Sequence, residues 1–288
     1  MLLASFMFAL MGSAVKLAGE HGASLPQIVL FRGIPSVILL LVFARVARQS
    51  IVPVSWRLHV WRNVAGVTSM WMGFFALSHL PLSTATSLSY TAPLFIAIWM
   101  MAVGGQQRDP IRIAAVALGF GGVIAVLRPS IGDDQSLAAA MGLGAGALSA
   151  VAMMQLRQLG AVGEAEWRTV LYFSVSVCLT SLIALTVKGW PPLDLTAYLA
   201  LGAVGLTGLC GQLAVTRAFG RGSPLLVAAL QYSTIIFAAL LGVGFWGDFL
   251  DTIAWMGIGL IIFAGLLSVW RTMRETREAA RRGQTRRT

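Results

Sequence analysis

The sequence has few charged residues, because only 11% of its 288 residues are Asp, Glu, Lys or Arg, against about 25% in a typical soluble domain. Cysteine is scarce too: Cys178 and Cys210 are the only two, and both lie inside apolar stretches without a CxxC motif. Such cysteines behave as small apolar residues. The composition therefore excludes a soluble domain and a disulfide-stabilised secreted domain, and it predicts no cysteine metal site.

Acidic residues are missing from the centres of the apolar stretches, since all 11 lie near the ends of these stretches or between them. The three histidines, His21, His59 and His79, also lie near the ends. No pair of buried carboxylates and no metal-ligand spacing is visible, so the sequence predicts no catalytic site, metal or cofactor. Proton-coupled carriers commonly use a membrane-embedded carboxylate or histidine as a relay. We therefore predict a protein that is not an enzyme and that has no buried proton relay.

Long apolar runs make up most of the chain, which is 57% hydrophobic and has a mean hydropathy of +0.80. Each run is long enough to cross a bilayer core of about 30 Å as a helix. The sequence predicts an all-α integral membrane protein with ten transmembrane helices, at about residues 1–19, 26–46, 60–79, 82–104, 111–128, 136–157, 168–187, 194–216, 224–246 and 250–270.

The basic residues predict the orientation in the membrane. Most of the 21 Lys and Arg residues fall in the loops of one side and in the tail, whereas the opposite loops hold only Arg128 and Lys188. Basic loops stay in the cytoplasm, so we predict an inner (plasma) membrane protein with both termini cytoplasmic. The net charge of +10 then reflects topology, and no nucleic-acid partner is expected. The basic tail, residues 271–288, is either solvated, which we favour, or bound to anionic membrane lipid.

The two halves of the chain resemble each other. Shifted by 142 positions, residues 76–98 align with residues 218–240, and Tyr90 falls on Tyr232. Each half has five predicted spans, an odd number, so the second copy must enter the membrane in the opposite orientation. Inverted repeats of this kind are typical of transporters, whose substrate site lies near the membrane midplane between the repeats.

Residues 11–33, MGSAVKLAGEHGASLPQIVLFRG, resemble the opening signature of the drug/metabolite transporter superfamily in its ten-helix EamA branch. The signature has a Gly, a Lys, a Pro and a Phe-Arg pair in this order. The resemblance implies two EamA-like repeats, residues 1–130 and 131–270, with the second inverted. It also implies that Arg32 lies at a helix–helix contact, and the sequence looks most like exporters of amino acids, including aromatic ones.

Polar and aromatic side chains within the spans supply the candidate substrate contacts. An amide in lipid is costly unless it is paired, and Trp71 lies near the centre of its span, where an interfacial role does not explain it. Helix–helix hydrogen bonding remains an alternative role for the polar groups, and Lys16 can also reach the outer membrane surface. Pro93 is a candidate hinge. The predicted substrate-binding residues are Lys16, Trp71, His79, Ser87, Tyr90, Gln155, Gln212, Gln231 and Tyr232.

The predicted function is alternating-access transport of a small molecule, and the substrate we favour is a zwitterionic amino acid that moves outward by facilitated diffusion. The alternatives are a carrier of a nucleotide, a sugar or a cationic compound, and a membrane-embedded enzyme. A nucleotide would need several cations in the cavity and a lipophilic cation would need an acid or an aromatic cage. The protein is expected to be a monomer or homodimer.

Overall fold

The computed structural model describes residues 1–89, 91–92, 94–96, 98, 110–127, 135–221, 227, 230–247 and 251–285. Within these residues all regular structure is helical, which confirms the all-α prediction. The helices are α1 Leu2–Glu20, α2 Leu25–Val46, α3 Trp56–His79, α4 Leu82–Ser89, α5 Pro110–Leu127, α6 Ser136–Ala161, α7 Glu166–Lys188, α8 Leu195–Arg221, α9 Ser233–Trp246 and α10 Thr252–Thr285.

Each of these helices lies largely within one of the ten predicted apolar runs. By length and composition, α1, α2, α6, α7 and α8 are able to cross a membrane, and the described part of the chain also has two shorter apolar helices. Helix α10 continues through the predicted tail to Thr285. The predicted boundary between residues 130 and 131 lies outside the described residues, and the division into repeats and tail stays a prediction.

Local sequence signals account for the start of α2. Gln27 accepts a hydrogen bond of 2.8 Å from the backbone N–H of Ser24, one half of a capping box, and Pro26 lies in the first turn, where its missing N–H is tolerated. The Gln27 amide also donates to the carbonyl of Pro191 at 3.0 Å. This contact fixes the beginning of α2 against the loop before α8.

Equivalent helices of the two halves pack against each other in opposite directions. Phe31 of α2 lies 6.3 Å from Trp190, two residues beyond the end of α7, and Phe43 of α2 lies 5.8 Å from Trp167 in the first turn of α7, measured between ring centroids. Because the residue number rises along one helix as it falls along its partner, α2 and α7 are antiparallel. These two helices therefore have the relative orientation that the predicted inversion requires.

The helix contacts between the two halves also come in equivalent pairs. Helix α1 packs against α8, and their repeat counterparts α6 and α3 pack against each other; α5 packs against its own counterpart α10. A central region is thus enclosed by α1–α4 on one side and α6–α9 on the other. We call the side of the bundle where α1 begins and α2 ends the N-terminal side, and the opposite side the far side.

Cysteine labelling tests the predicted orientation. In a protein with Cys178 and Cys210 replaced by Ala, Lys188→Cys at the end of α7 should react with a membrane-impermeant maleimide added to intact cells. Gln49→Cys, which lies exposed beyond α2 on the N-terminal side, should react only after the cells are lysed. The opposite labelling pattern would show that the N-terminal side faces outward.

Candidate functional site

A central cavity lies between the two halves of the protein. The space within it has a volume of about 190 Å³, and the cavity is open at its mouth. Its described lining comes from α1–α4 and α6–α9, with Gln231 from the segment just before α9. The cavity therefore lies at the repeat interface, where an inverted-repeat carrier binds its substrate.

Arg32 of α2 lies in the wall of this cavity and is 2% exposed. One terminal nitrogen donates a hydrogen bond of 3.2 Å to the amide oxygen of Gln212 on α8. Its Nε and other terminal nitrogen have no hydrogen-bond partner among the described residues. Arg32 thus lies at the contact between α2 and α8, as the family resemblance implied.

Arg62, in the second turn of α3, is the other cation of the described lining and is 4% exposed. Its guanidinium lies over the ring of Phe173, 4.3 Å from the centroid, and Arg32 approaches the same ring at 5.8 Å. The Arg62 Nε and one terminal nitrogen also lack a described partner. The side chain runs toward Gly66, and so toward the membrane centre, instead of reaching back to the near membrane surface.

Two glycines at equivalent positions of the repeats make room for these arginines. A Cβ atom at Gly66 would collide with the guanidinium of Arg62, and a Cβ atom at Gly208 would lie 2.5 Å from Cδ of Arg32. The two positions are related by the 142-residue shift of the repeat. Each arginine side chain therefore packs directly against a glycine, and a larger residue at either position would displace it.

The charge of the cavity is positive, because its described lining contains both arginines and no carboxylate. A buried charge is costly unless a partner and hydrogen bonds compensate it. An arginine also presents a planar set of donors that matches the two oxygens of a carboxylate. The two guanidinium groups are therefore chemically suited to pair with an anionic group.

The rest of the described wall is mainly apolar, with a few hydroxyl groups. The serines and threonines of the described lining are Ser69, Thr86, Ser89, Ser149 and Thr234. Methionine adapts its shape to varied partners, and aromatic rings provide large apolar contacts. The aromatic and methionine side chains are Phe8, Met11, Met70, Phe74, Met153 and Phe173.

Two of the predicted contact residues, Gln212 and Gln231, line this cavity. Gln212 accepts the hydrogen bond from Arg32, and the Gln231 carbonyl oxygen has no described partner. Trp71 instead donates to the hydroxyl of Thr180 on α7 at 3.2 Å. Tyr232 is 2% exposed, and its ring lies against Gly265 of α10.

The structure places the other predicted contacts in several regions. Ser87 is buried within α4 and Gln155 is half-buried in α6, and neither belongs to the described lining of the central cavity. Tyr90 and the proposed hinge Pro93 lie outside the described residues. Their predicted roles stay predictions.

Lys16 and His79 line a second cavity on the far side of the protein. The Lys16 ammonium lies 4.7 Å from the centroid of the Trp246 ring, whose indole N–H donates to Glu20 at 2.8 Å. His79 stacks on Phe75. The contacts of Lys16 and Glu20 with Trp246 join the far end of α1 to the end of α9. Leu77 lines both cavities and so lies on the boundary between them.

Sequence reasoning missed Arg62, because it was counted with the basic loops of the predicted cytoplasmic side. The structure places it inside α3, against the cavity. A signal was present, since Arg62 falls within the apolar run at residues 60–79 and precedes Gly66 by one helical turn. Sequence distance from the helix end was a poor guide to depth, because a long side chain extends several ångströms in either direction.

The comparisons with known proteins agree with this arrangement. The sequence model described as "EamA-like transporter family" matches residues 1–128 and 136–270. The chain belongs to this family. Members of the EamA-like transporter family have a multi-span membrane fold, and the protein is accordingly a multi-pass membrane transporter of the drug/metabolite transporter superfamily.

Individual relatives of this EamA-like transporter are also named as transporters. The chain is 28% identical over 272 residues to the pseudopaline exporter of Pseudomonas aeruginosa, covering 94% of both chains. It is 24% identical over 276 residues to an uncharacterized transporter of Helicobacter pylori, covering 92% of both. One crystal structure has the same fold, with a TM-score of 0.65 at 18% identity and coverage of 94% of this chain and 97% of that one.

Proposed function

We propose that this transporter carries a small metabolite with a carboxylate group, such as an amino acid or an amino-acid derivative, out of the cytoplasm. The carboxylate binds between Arg32 and Arg62, and alternating access exposes the central cavity to each side in turn. The observation that carries the proposal is the pair of buried, incompletely hydrogen-bonded guanidinium groups in one wall of the cavity.

The electrostatics of the pair support an anionic group. Removing an ion from water is unfavourable, and the described lining offers the two arginines no carboxylate in return. The described carboxylates near the N-terminal side already have basic partners: Glu164 binds His59 and Arg168, and Glu166 binds Arg221. A bound carboxylate would supply the missing charge and acceptors.

The apolar wall supports a substrate with a hydrophobic body. Phe8 and Phe74 contribute rings to the lining, and Met70 and Met153 contribute flexible thioethers. A side chain of phenylalanine size would bury its apolar surface there, which stabilises binding by about 25 cal/mol per Å². The outward direction rests on the relative that is named an exporter.

Cationic compounds fit the described cavity poorly, because the two arginines would repel them and no acid is present to attract them. A phosphorylated compound shares the chemistry of an anionic oxygen cluster, since arginine also binds phosphate. Glucose 6-phosphate therefore serves as the phosphate-bearing probe in the experiment below.

The test compares three ligands of nearly the same shape and different charge. Binding to the purified transporter is measured for phenylalanine, N-acetylphenylalanine and phenylalaninamide, with glucose 6-phosphate as a fourth ligand. Phenylalanine and N-acetylphenylalanine, which carry a carboxylate, should bind at least about tenfold more tightly than phenylalaninamide. The reason is that charge-assisted hydrogen bonds contribute about 1.5–3 kcal/mol. If phenylalaninamide binds as tightly as phenylalanine, or if only glucose 6-phosphate binds, the carboxylate proposal is wrong.

A further inference from the structure

We infer that the substrate-free transporter rests with its N-terminal side closed, and that Leu156, Val215 and Phe219 form the gate on that side. The inference depends on the alternating access proposed above and is independent of the charge of the substrate. It follows from the helix contacts at the two ends of the cavity and from a comparison of equivalent positions in the repeats.

On the N-terminal side the ends of α6 and α8 touch through their backbones. A Cβ atom at Gly160 would lie 2.7 Å from Cα and 3.0 Å from the carbonyl oxygen of Gly220. Next to this contact, the Glu166 carboxylate lies 2.6 Å from Nε of Arg221 and forms an ion pair with it. The two helices therefore meet directly on this side, and an ion pair links α7 to the end of α8.

Apolar side chains fill the space between this contact and the central cavity. Leu156 lines both the cavity and a crevice of about 340 Å³ beside Gly160, so it lies on the boundary between them. Leu156, Val215 and Phe219 are each 5% exposed and belong to one apolar cluster with Ala4. Closely packed side chains leave no path for water, so a substrate must displace this cluster to pass.

Within the described part of the chain, the far side is less tightly closed. The positions equivalent to Gly160 and Gly220 are Ala18 and Ser78, near the far ends of α1 and α3. Ser78 is exposed and lines the second cavity, whose volume of about 660 Å³ is nearly twice that of the crevice on the N-terminal side. Leu77, which separates this second cavity from the central one, is half-buried.

The repeat explains why the two gates differ in strength. In an inverted-repeat carrier, closing the far side brings together the counterparts of the residues that close the N-terminal side. Two of the three counterparts are much smaller, and a contact that buries less apolar surface is weaker. The gate residues and their counterparts, in the same order, are Leu156, Val215 and Phe219, and Ala14, Gly73 and Leu77.

The closed N-terminal gate is therefore the more stable of the two closed gates. A carrier with two conformations occupies the more stable one for most of the time, so the substrate-free protein keeps its N-terminal side closed. In the predicted orientation this side is cytoplasmic, and the resting carrier then opens away from the cytoplasm.

The experiment measures how fast a cysteine in the central cavity reacts with a membrane-impermeant maleimide from each side. Ser149→Cys is introduced into a protein with Cys178 and Cys210 replaced by Ala, because Ser149 lines the cavity and is half-buried. Right-side-out and inside-out membrane vesicles expose the two sides separately, and Gln49→Cys identifies the N-terminal side. No substrate is added, so the result does not depend on the carboxylate proposal. We expect labelling at least about tenfold faster from the far side, since the N-terminal gate is then open for less than about a tenth of the time.

Gly160→Ala is expected to open the N-terminal gate. The new Cβ meets backbone atoms of Gly220, which cannot rotate away as a side chain could, so the ends of α6 and α8 must separate. Labelling from the N-terminal side should become about fivefold faster or more, and labelling from the far side should become slower. Gly220→Ala is the matched control, because a Cβ there lies 3.9 Å from Cα of Gly160, an ordinary contact. It should leave both rates unchanged.

Leu156→Ala tests the same gate without forcing the helices apart, because it gives the gate the smaller residue of its counterpart Ala14. It should also accelerate labelling from the N-terminal side. Labelling of the Ser149→Cys protein that is equal from both sides or faster from the N-terminal side would overturn the inference, as would the absence of acceleration in both gate variants. Acceleration in Gly160→Ala without slower labelling from the far side would show a continuous passage, and would refute alternating access as well.

Discussion

Replacing Arg62 with glutamine is expected to weaken binding of N-acetylphenylalanine by about 10- to 100-fold, because a hydrogen bond to a charged group contributes about 1.5–3 kcal/mol. The same change should leave the thermal stability of the substrate-free protein unchanged or raise it. The reason is that Arg62 has no acidic partner among the described residues, so its removal relieves a desolvation cost without stranding an opposite charge.

Arg57→Gln is the matched control, since Arg57 lies in the first turn of the same helix and is exposed. This variant should keep wild-type affinity and stability. Affinity is measured by isothermal titration calorimetry, and stability by the temperature at which half of the purified protein aggregates. A loss of stability in Arg62→Gln with no loss of affinity would show that Arg62 supports the fold and does not bind substrate.

Adding one methyl group at Gly208 is expected to weaken substrate binding by about tenfold or more. The new Cβ would lie 2.5 Å from Cδ and 2.6 Å from Nε of Arg32, so the buried arginine must move. Overpacking of this kind typically costs about 1–3 kcal/mol. The displaced guanidinium would also lose its alignment with Gln212 and with a bound carboxylate.

The control for Gly208→Ala is Gly202→Ala, which lies two steps earlier in the same series of glycines spaced three residues apart in α8. No heavy atom lies within 4 Å of a Cβ at Gly202, and alanine favours a helix over glycine by about 1 kcal/mol. Gly202→Ala should therefore retain full binding and at least wild-type stability. Equal affinities of the two variants would show that the packing of Arg32 does not position the substrate.

Much of the architecture could be predicted from the sequence, because the bilayer imposes simple rules on the chain. A membrane-crossing segment must be helical and apolar, so the run at residues 136–157 predicted α6, which the structure places at Ser136–Ala161. The signature around Gly12, Lys16 and Phe31-Arg32 led to the family, which the match over residues 1–128 and 136–270 shows.

The site was harder to predict, because a side chain's contacts depend on residues far away in the sequence. Trp71 has the expected depth but faces Thr180 on α7. Tyr232 is equivalent to Tyr90 but packs against Gly265 of α10. Helical periodicity shows that one side of a helix differs from another, yet it does not show which neighbour covers each side.

By itself the sequence determined an all-α membrane transporter of inverted repeats, since hydropathy, span number and family motifs are properties of the chain. Only the tertiary structure decided where the charges lie. It brought Arg32 from α2 and Arg62 from α3 to the same ring of Phe173 on α7, and packed them against Gly208 and Gly66. The physical reason is that the depth and partners of a long cationic side chain follow from the packing of its neighbours, and no local pattern encodes that packing.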